Sequence, residues 1–481
     1  MMTNRFPLPF VLALALGSAP HAQAPDRSGP PALGPVPTLD VPPIARRELS
    51  NGLPVWIVEM HEVPVVAASL VVLSGSAADP AGKEGVGSLT AEMLDEGAGT
   101  RDALAIADAI DYLGASLRTA NTFDASSVRL EVPVARLAEA LPIVADVALR
   151  PSFPPQELER IRQEWLTSFL QARDDPAAIA ATAFPRLVYG PTHRYGTLAT
   201  GTPGSIRSLT VDDLTRFHAT HYRPDHAALV IVGDVTVDAV LPLAEQAFGG
   251  WGAPAGPKPD AIVPAAPQLT AREVFLVDKP DAAQSQIRIG RIGVPRSTPD
   301  YPAITVLNTI LGGSFTSRLN QNLREEHGYT YGAGSAFTMR RAAGPFTAAA
   351  GVQTDKTAEA LQEFFNELEA IRLPVPDAEL AKARNYVALG FPAEFEATGD
   401  VLRQLEERIV YDLPDDYFSS YIPKILAVTA ADVERAASVH VQPNQMAVVV
   451  VGDARTVEGP IRALNLGPLH LVPLSEVMGE E

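Results

Sequence analysis

The feature that most constrains the fold is a segment that occurs twice at a constant separation. Residues 210–234 read Thr-Val-Asp-Asp-Leu…Arg-Pro…Ala-Leu-Val-Ile-Val-Gly-Asp, and residues 429–453 read Thr-Ala-Ala-Asp-Val…Gln-Pro…Ala-Val-Val-Val-Val-Gly-Asp. The threonine, proline and glycine positions are each separated by 219 residues (210 and 429, 224 and 443, 233 and 452). A constant register over this span indicates a tandem duplication. Each copy is predicted to contain a capped helix, a proline turn and a buried strand.

A proline-rich segment separates the two copies. Residues 252–268 contain five prolines and no clear periodicity, which is typical of a linker. We therefore place an N-terminal half at 45–251 and a C-terminal half at 269–481. The length of 481 residues agrees with this division, because single hydrophobic cores stop growing well below that size.

Local patterns in the first half alternate between strands and a helix. Asn51-Gly52 before an apolar run predicts a β-hairpin, and residues 65–73 and 128–132 predict further strands. Residues 100–114 predict a helix with Thr100 as its N-cap and Gly114 as its end. The predicted fold is therefore α+β: two homologous halves in tandem, each with largely antiparallel sheets flanked by helices, in a clamshell-like arrangement.

The N-terminus has the pattern of an export signal. Arg5 precedes an apolar run at 6–19 and a small-residue cleavage site ending at Ala24, so we predict a signal peptide at 1–24. A proline-rich tail at 25–44 follows it. The apolar run is too short for a permanent anchor. We therefore expect an exported, periplasmic protein with no membrane span.

Composition excludes several classes of site. The chain has no cysteine, and therefore neither disulfides nor thiolate metal ligands. Its net charge of −19 disfavours nucleic acid and anionic lipid as partners. It contains no Gly-x-Ser-x-Gly nucleophile motif and no phosphate-binding glycine loop of the Walker type.

One predicted helix lies between the glycines that bracket a zinc-peptidase motif, but it lacks the histidines that bind zinc and the glutamate that acts as base. Zinc helices of the form His-x-x-Glu-His place two imidazoles on one face, with a glutamate between them as general base. Between Gly85 and Gly97, the three corresponding positions hold Ser88, Ala91 and Glu92. Serine and alanine replace a ligand and the base, so we predict no metal of its own on this chain.

The surrounding residues carry a resemblance to a known family. The glycine-bracketed segment 85–97, together with Asn51-Gly-Leu-Pro-Val and Ser74-Gly-Ser, resembles the pitrilysin or insulinase family of zinc metallopeptidases. The resemblance implies a third zinc ligand, a glutamate, on a later helix. Alignment places Ser168 or Phe169 in that position, so every metal position of the family is vacant here.

The second half resembles the family segment that reaches the substrate. Leu311-Gly-Gly-Ser-Phe leads into a stretch containing Arg324 and, seven residues later, Tyr331. In the family, such an arginine and tyrosine donate hydrogen bonds to the scissile carbonyl and its neighbours, which stabilises a developing oxyanion. By this register Tyr329 is out of place. Without the resemblance, the spacing alone favours structural roles: a helix-end arginine paired with a nearby carboxylate and a half-buried strand tyrosine.

Three functional interpretations follow. The resemblance implies the non-zinc-binding subunit of a heterodimeric peptidase, with zinc on a homologous partner, peptides as substrate, and Arg324 and Tyr331 as catalytic residues. The alternative is an inactive scaffold or peptide-holding protein. A third interpretation is a metal site formed by His218, His221 and His226, or by the acidic trio Glu92, Asp95 and Glu96. The histidines lie at a turn expected to face solvent, and the trio is more typical of a solvated helix face.

Overall fold

Strands and helices alternate through both halves of the chain. The computed structural model describes residues 39, 41–253, 256–259 and 262–479. The predicted signal peptide at 1–24 lies outside the described residues, as do residues 25–38 and 40 of the predicted tail. The strands are β1 (Ile44–Glu48), β2 (Pro54–Glu59), β3 (Val65–Val72), β4 (Gly97–Ala98), β5 (Arg101–Asp102), β6 (Ser116–Asn121), β7 (Ser126–Pro133), β8 (Ala227–Gly233), β9 (Glu273–Asp278), β10 (Gln284–Ile292), β11 (Thr330–Phe337), β12 (Pro345–Gln353), β13 (Ala447–Gly452) and β14 (Leu469–Val472).

The helices flank these strands. They are α1 (Val86–Glu92), α2 (Ala103–Tyr112), α3 (Leu137–Leu149), α4 (Pro155–Ala172), α5 (Pro176–Tyr189), α6 (Pro203–Ser208), α7 (Val211–His221), α8 (Val237–Phe248), α9 (Tyr301–Leu311), α10 (Arg318–Asn320), α11 (Thr357–Ala370), α12 (Asp377–Gly390), α13 (Thr398–Val410), α14 (Tyr417–Leu426), α15 (Ala430–His440), α16 (Ala454–Ala463) and α17 (Leu474–Met478). None of these helices is long and apolar enough to cross a membrane. The described residues between α8 and β9 form neither helix nor strand.

Each half forms one six-stranded sheet with the same strand order. The first sheet runs β1-β2-β8-β3-β7-β6, and the second runs β14-β9-β13-β10-β12-β11. In each sheet one inner pair is parallel, β2 with β8 and β9 with β13. The two sheets differ at one edge, where β1 pairs antiparallel with β2 but β14 pairs parallel with β9. The predicted α+β class and its largely antiparallel sheets are confirmed.

The duplicated segments adopt the same structure in both halves. Thr210 accepts the backbone N–H of Asp213, whose carboxylate accepts from Thr210 in return, and Thr429 and Asp432 repeat this capping box. Such reciprocal bonds satisfy amides at a helix N-terminus that the helix itself leaves unpaired. Each capped helix then leads through a proline turn into a fully buried strand, β8 or β13. The predicted tandem repeat is confirmed.

The two halves exchange helices. Helix α13 of the C-terminal half packs on β3 and β8 of the first sheet, and α5 of the N-terminal half packs on β10 and β13 of the second. Phe184 on α5 is buried in the cluster that contains Val449 of the second sheet. Since each sheet has one face covered by a helix from the other half, the halves share their hydrophobic cores and should fold together.

Most local predictions in the first half are confirmed, and one is wrong. β1 and β2 pair as the predicted hairpin around Asn51-Gly52, and the predicted strands correspond to β3 and β7. The predicted N-cap Thr100 is incorrect. Helix α2 begins at Ala103, and the Asp102 carboxylate accepts the N–H of Ala105 at 2.9 Å. Residues 101–102 instead pair with 97–98 as a short two-stranded ladder, which extends the chain past Thr100.

Candidate functional site

Helix α1 holds small, packed side chains where a zinc helix carries its ligand and base. Ser88 and Ala91 are both buried. The Ser88 hydroxyl lies 2.9 Å from the carbonyl oxygen of Ala199 and 3.1 Å from the side-chain oxygen of Asn121 on the edge strand β6. These positions therefore serve to pack the helix against its neighbours, and neither offers a group that could bind a metal.

A buried ion pair fixes the start of this helix. Asp79 accepts the backbone N–H groups of Gly85 at 2.6 Å and Gly87 at 2.9 Å, and it pairs with Arg194 at 2.7 Å. The carboxylate thereby satisfies amides at the N-terminus of α1, where the helix dipole favours negative charge. Burial nevertheless raises the pKa of Asp79 to about 6, against the lowering effects of Arg194 and the two amides.

The remaining metal positions face a cluster of carboxylates. Glu92 reaches the surface at the end of α1, but surrounding protein atoms desolvate its carboxylate; this desolvation, and then the charges of Glu96 and Glu164, raise its pKa. Arg160 links α4 to the segment after α1, because its guanidinium lies 2.5 Å from Glu96, and within α4 it also pairs with Glu164 at 2.9 Å. No group of three or more histidine, aspartate or glutamate side chains within the described ranges is arranged to hold a metal ion.

The two candidates for the third ligand position, Ser168 and Phe169, lie on different faces of α4. Ser168 follows Glu164 by one helical turn and donates to its carbonyl oxygen at 3.0 Å, so both residues lie on the face of α4 directed towards α1. Phe169 instead lines a cavity with Pro203 and Arg207. Neither a hydroxyl nor a phenyl ring supplies the carboxylate that the resemblance implies at this position, and α1 carries no imidazole.

The histidines near α7 are engaged within the protein, and the expectation that they face solvent is incorrect. A ring nitrogen of His218 lies 2.8 Å from the Ala148 carbonyl oxygen, and one of His221 lies 2.8 Å from the Ser74 hydroxyl. Burial, and to a smaller extent the charge of His226, lower the pKa of His221 to about 4. Both side chains are half-buried, His218 against α3 and His221 against the segment that follows β3.

Arg324 lies on an irregular turn at the end of α10. Residues 321–326 form a π-helical turn, a geometry that frequently marks functional sites. The Arg324 guanidinium carbon lies 4.4 Å from the centre of the Phe315 ring, and Nε lies 3.5 Å from a carboxylate oxygen of Glu325. Phe315 is exposed and stands in the Gly-Gly-Ser-Phe motif. Its role as the support beneath the arginine was not predicted.

The two glycines before Phe315 are required by close packing. A Cβ atom on Gly312 would lie 2.2 Å from the backbone nitrogen of Ser335 in β11, and one on Gly313 would lie 2.6 Å from the Asn308 side chain. Only glycine permits this approach. This close approach brings the Phe315 loop against the strand that carries Tyr331.

Tyr331 is turned outward by a bulge in the edge strand β11. The pairing of β11 with β12 shifts register between Thr330 and Ala333, and bulges of this kind redirect side chains next to functional sites. The Tyr331 side chain is 91% exposed, and no hydrogen bond in the described structure involves its hydroxyl. Tyr329, in contrast, is half-buried and stacks on His327 with 5.0 Å between ring centres.

The structure brings Arg324 and Tyr331 to one corner of the C-terminal half. Backbone bonds from Tyr329 to Leu323 (2.9 Å) and from Gly328 to Arg324 (3.2 Å) tie the turn to the strand. No ring contact or hydrogen bond among the described residues joins the two side chains directly. Hydrogen-bonded backbone therefore holds both residues in place, and each side chain is free to contact another molecule.

Two family models match successive parts of the chain. Residues 55–189 match the insulinase family, peptidase family M16, and residues 208–387 match the peptidase M16 inactive domain. The chain belongs to the insulinase family. The first match contains the three metal-ligand positions and the general-base position of the family's zinc motif, and the second contains Arg324 and Tyr331.

Individual relatives agree with this assignment. An uncharacterized zinc protease of Streptomyces coelicolor is 24% identical over 413 residues, covering 85% of this chain and 89% of that protein. The crystal structure of a peptidase M16 inactive domain from Pseudomonas fluorescens is 27% identical with a TM-score of 0.78, covering 85% and 98%. A chain of complex III from Candida albicans has the same fold, with a TM-score of 0.73 at 17% identity over 88% and 99%.

Proposed function

We propose that this chain is the non-zinc-binding subunit of a heterodimeric, exported zinc metallopeptidase that acts on peptides. In this role Arg324 and Tyr331 extend into the active site of a homologous partner subunit that holds the zinc. Two observations carry the proposal. Ser88 and Ala91, which cannot bind zinc or act as the base, are buried on α1, and Tyr331 is 91% exposed at a strand bulge. An exposed aromatic held by rigid backbone suits contact with a partner or a substrate.

The chemistry available to this corner is donation of hydrogen bonds. A tyrosine hydroxyl and a guanidinium are both donors, and neither requires a metal. Fixed donors directed at a carbonyl oxygen stabilise the negative charge that develops on it during peptide hydrolysis. The ring of Phe315 lies under Arg324 and restricts its motion, so the charge is held in place before substrate arrives.

A second candidate is a scaffold or peptide-holding protein without a part in catalysis. It is favoured by the packing of Ser88 and Ala91, which have become ordinary core residues. The shared fold with a chain of complex III is compatible with such a role. Under this alternative, removing the Tyr331 hydroxyl changes no activity.

The test is peptide cleavage by a mixture of this chain with an exported homologue that has an intact His-x-x-Glu-His motif. We expect Tyr331→Phe and Arg324→Ala each to lower kcat by about 10²-fold or more, the loss typical of one oxyanion donor, without loss of the complex. Equal activity of variant and wild-type mixtures would contradict the proposal and favour the scaffold.

The first half offers a matched control. Arg136 has the same side-chain exposure as Arg324, 34%, and also pairs with a glutamate. Its guanidinium lies 5.1 Å from the ring centre of Tyr112, which is 79% exposed. Tyr112→Phe and Arg136→Ala therefore remove the same groups from a similar exposed setting. These variants should leave the activity of the mixture unchanged.

The proposed location is the periplasm. It is supported by the signal-peptide pattern at 1–24. Expression of the full gene in its host followed by fractionation and N-terminal sequencing tests this part. A mature N-terminus close to Pro25 in the periplasmic fraction is expected, and an intact Met1 in the cytoplasm would contradict it.

A further inference from the structure

A groove runs along the face of α4 opposite Ser168. Two adjoining cavities of about 850 Å³ and about 470 Å³ share Phe169, Pro203 and Arg207 in their walls. We call this surface the α4 groove. It lies between α4 and α6 and ends against α5 and α17. Both volumes fall in the range of ligand sites.

The α4 groove carries charge of the opposite sign to the whole protein. Its walls include four arginines (Arg162, Arg173, Arg186 and Arg207) and one acidic residue, Glu159. The chain as a whole has a net charge of −19. A concave surface lined with positive charge attracts anions selectively, and most of the surrounding surface repels them.

Two of these arginines build the groove, and two are available to a ligand. Arg162 donates to the Leu209 carbonyl at 2.8 Å, and Arg173 donates to the Gly479 carbonyl at 2.7 Å. Across the described residues, the Arg186 and Arg207 side chains take part in no hydrogen bond or ion pair. Arg186 is half-buried, and a desolvated guanidinium gains most from a carboxylate that reaches it.

The floor of the groove is apolar. Phe169 and Leu198 line it, together with Val477 and Met478 of α17. Leu170 lies at the rim with 58% of its surface exposed. Apolar surface combined with unpaired arginines fits a ligand that alternates apolar and acidic groups, and it fits neither a simple anion nor an uncharged peptide.

We propose that the α4 groove binds an acidic peptide segment, with its carboxylates on Arg186 and Arg207 and its apolar side chains on Phe169. The lining residues from Glu159 on α4 to Arg173 at its C-cap extend over about 21 Å at the helical rise. An extended segment of about six residues has that length. The site is separate from Arg324 and Tyr331, so this proposal and the peptidase proposal succeed or fail independently.

Fluorescence polarisation with the full-length protein tests the site. The probe is a fluorescein-labelled hexapeptide of alternating glutamate and leucine, with lysine–leucine and glutamate–serine peptides as matched probes. We expect binding of the glutamate–leucine peptide only, weakening as salt is raised. Arg186→Gln and Arg207→Gln should each raise its Kd about tenfold, and Leu170→Ser should raise it several-fold.

Arg403→Gln is the control, because Arg403 is an exposed arginine outside the groove that pairs with Asp400; its Kd should equal that of wild type. Thermal unfolding of each variant shows whether the fold is intact. Equal affinity for the glutamate–serine probe, or equal displacement of the peptide by single-stranded DNA, would reduce the groove to a general anion-binding surface and overturn the proposal. Unchanged affinity in both groove-arginine variants would also overturn it.

Discussion

Removing Asp79 alone should be far more harmful than removing Asp79 and Arg194 together. The Asp79 side chain is 0% exposed and that of Arg194 is 9% exposed. Asp79→Ala leaves a buried guanidinium without its counter-ion, which costs about 3–5 kcal/mol. It also leaves two amides of the α1 N-terminus without an acceptor. Against a typical total stability of about 5–15 kcal/mol, this loss is large.

The double variant Asp79→Ala/Arg194→Met should recover much of the loss. The pKa of Asp79 lies at about 6 instead of 3.8, so ionising this carboxyl in the folded protein costs about 3 kcal/mol more than in the unfolded chain. The pair therefore does not fully offset its own desolvation, and an apolar replacement of both partners is tolerated. The losses of stability caused by the two single substitutions should therefore not add in the double variant.

Urea unfolding of wild type, both single variants and the double variant measures the coupling. Because the folded pKa of Asp79 is the higher one, its contribution to stability is greatest below pH 4 and declines as pH rises to about 6. The free energy of wild type minus that of the double variant should fall by about 3 kcal/mol over this range. A double variant as unstable as the sum of its single variants, or a difference independent of pH, would refute the reasoning.

Three further predictions concern the fold around the site. The folded pKa of His221, about 4, lies below its ordinary 6.5, so the stability that neutral His221 contributes is lost as pH falls from 6.5 to 4. The variant His221→Gln should therefore lose about 2–3 kcal/mol less stability than wild type over this pH range, measured by urea unfolding. Gly312→Ala places a Cβ 2.2 Å from the Ser335 nitrogen and should lower stability by about 1–3 kcal/mol, measured by thermal unfolding; an unchanged Tm would contradict it. Phe184→Ala should cost about 3–5 kcal/mol in one cooperative transition by calorimetry, and two separate transitions would show that the halves do not share a core.

Sequence reasoning succeeded where the signal was local or repeated. The constant separation of the two capped segments predicted two similar sheets, and Gly85 and Gly97 bracketed the vacant helix α1. The N-cap of α2 was misplaced because Asp102 can cap as well as Thr100. The exchange of α5 and α13 was not predictable, since an amphipathic pattern identifies the buried face of a helix and not the sheet that it covers.

The sequence identified the two residues of the candidate site, but it did not indicate the local structure that holds them. The spacing and context of Arg324 and Tyr331 identified the pair, but the π-helical turn and the strand bulge that present them have no marked sequence signature. Phe315 belongs to the Gly-Gly-Ser-Phe motif, but its contact with Arg324 could not be predicted from that motif. The α4 groove could not be found in advance, because Arg186, Arg207 and Phe169 come from three separate elements that meet only in the folded chain.

The most direct test of the central claim is peptide hydrolysis by this chain alone, by an exported homologue with an intact zinc motif, and by the mixture, with zinc measured on each protein. The account predicts no zinc and no activity for this chain, little activity for the homologue, and full activity only when the two are combined. A homologue that cleaves peptides as fast alone as in the mixture would contradict it.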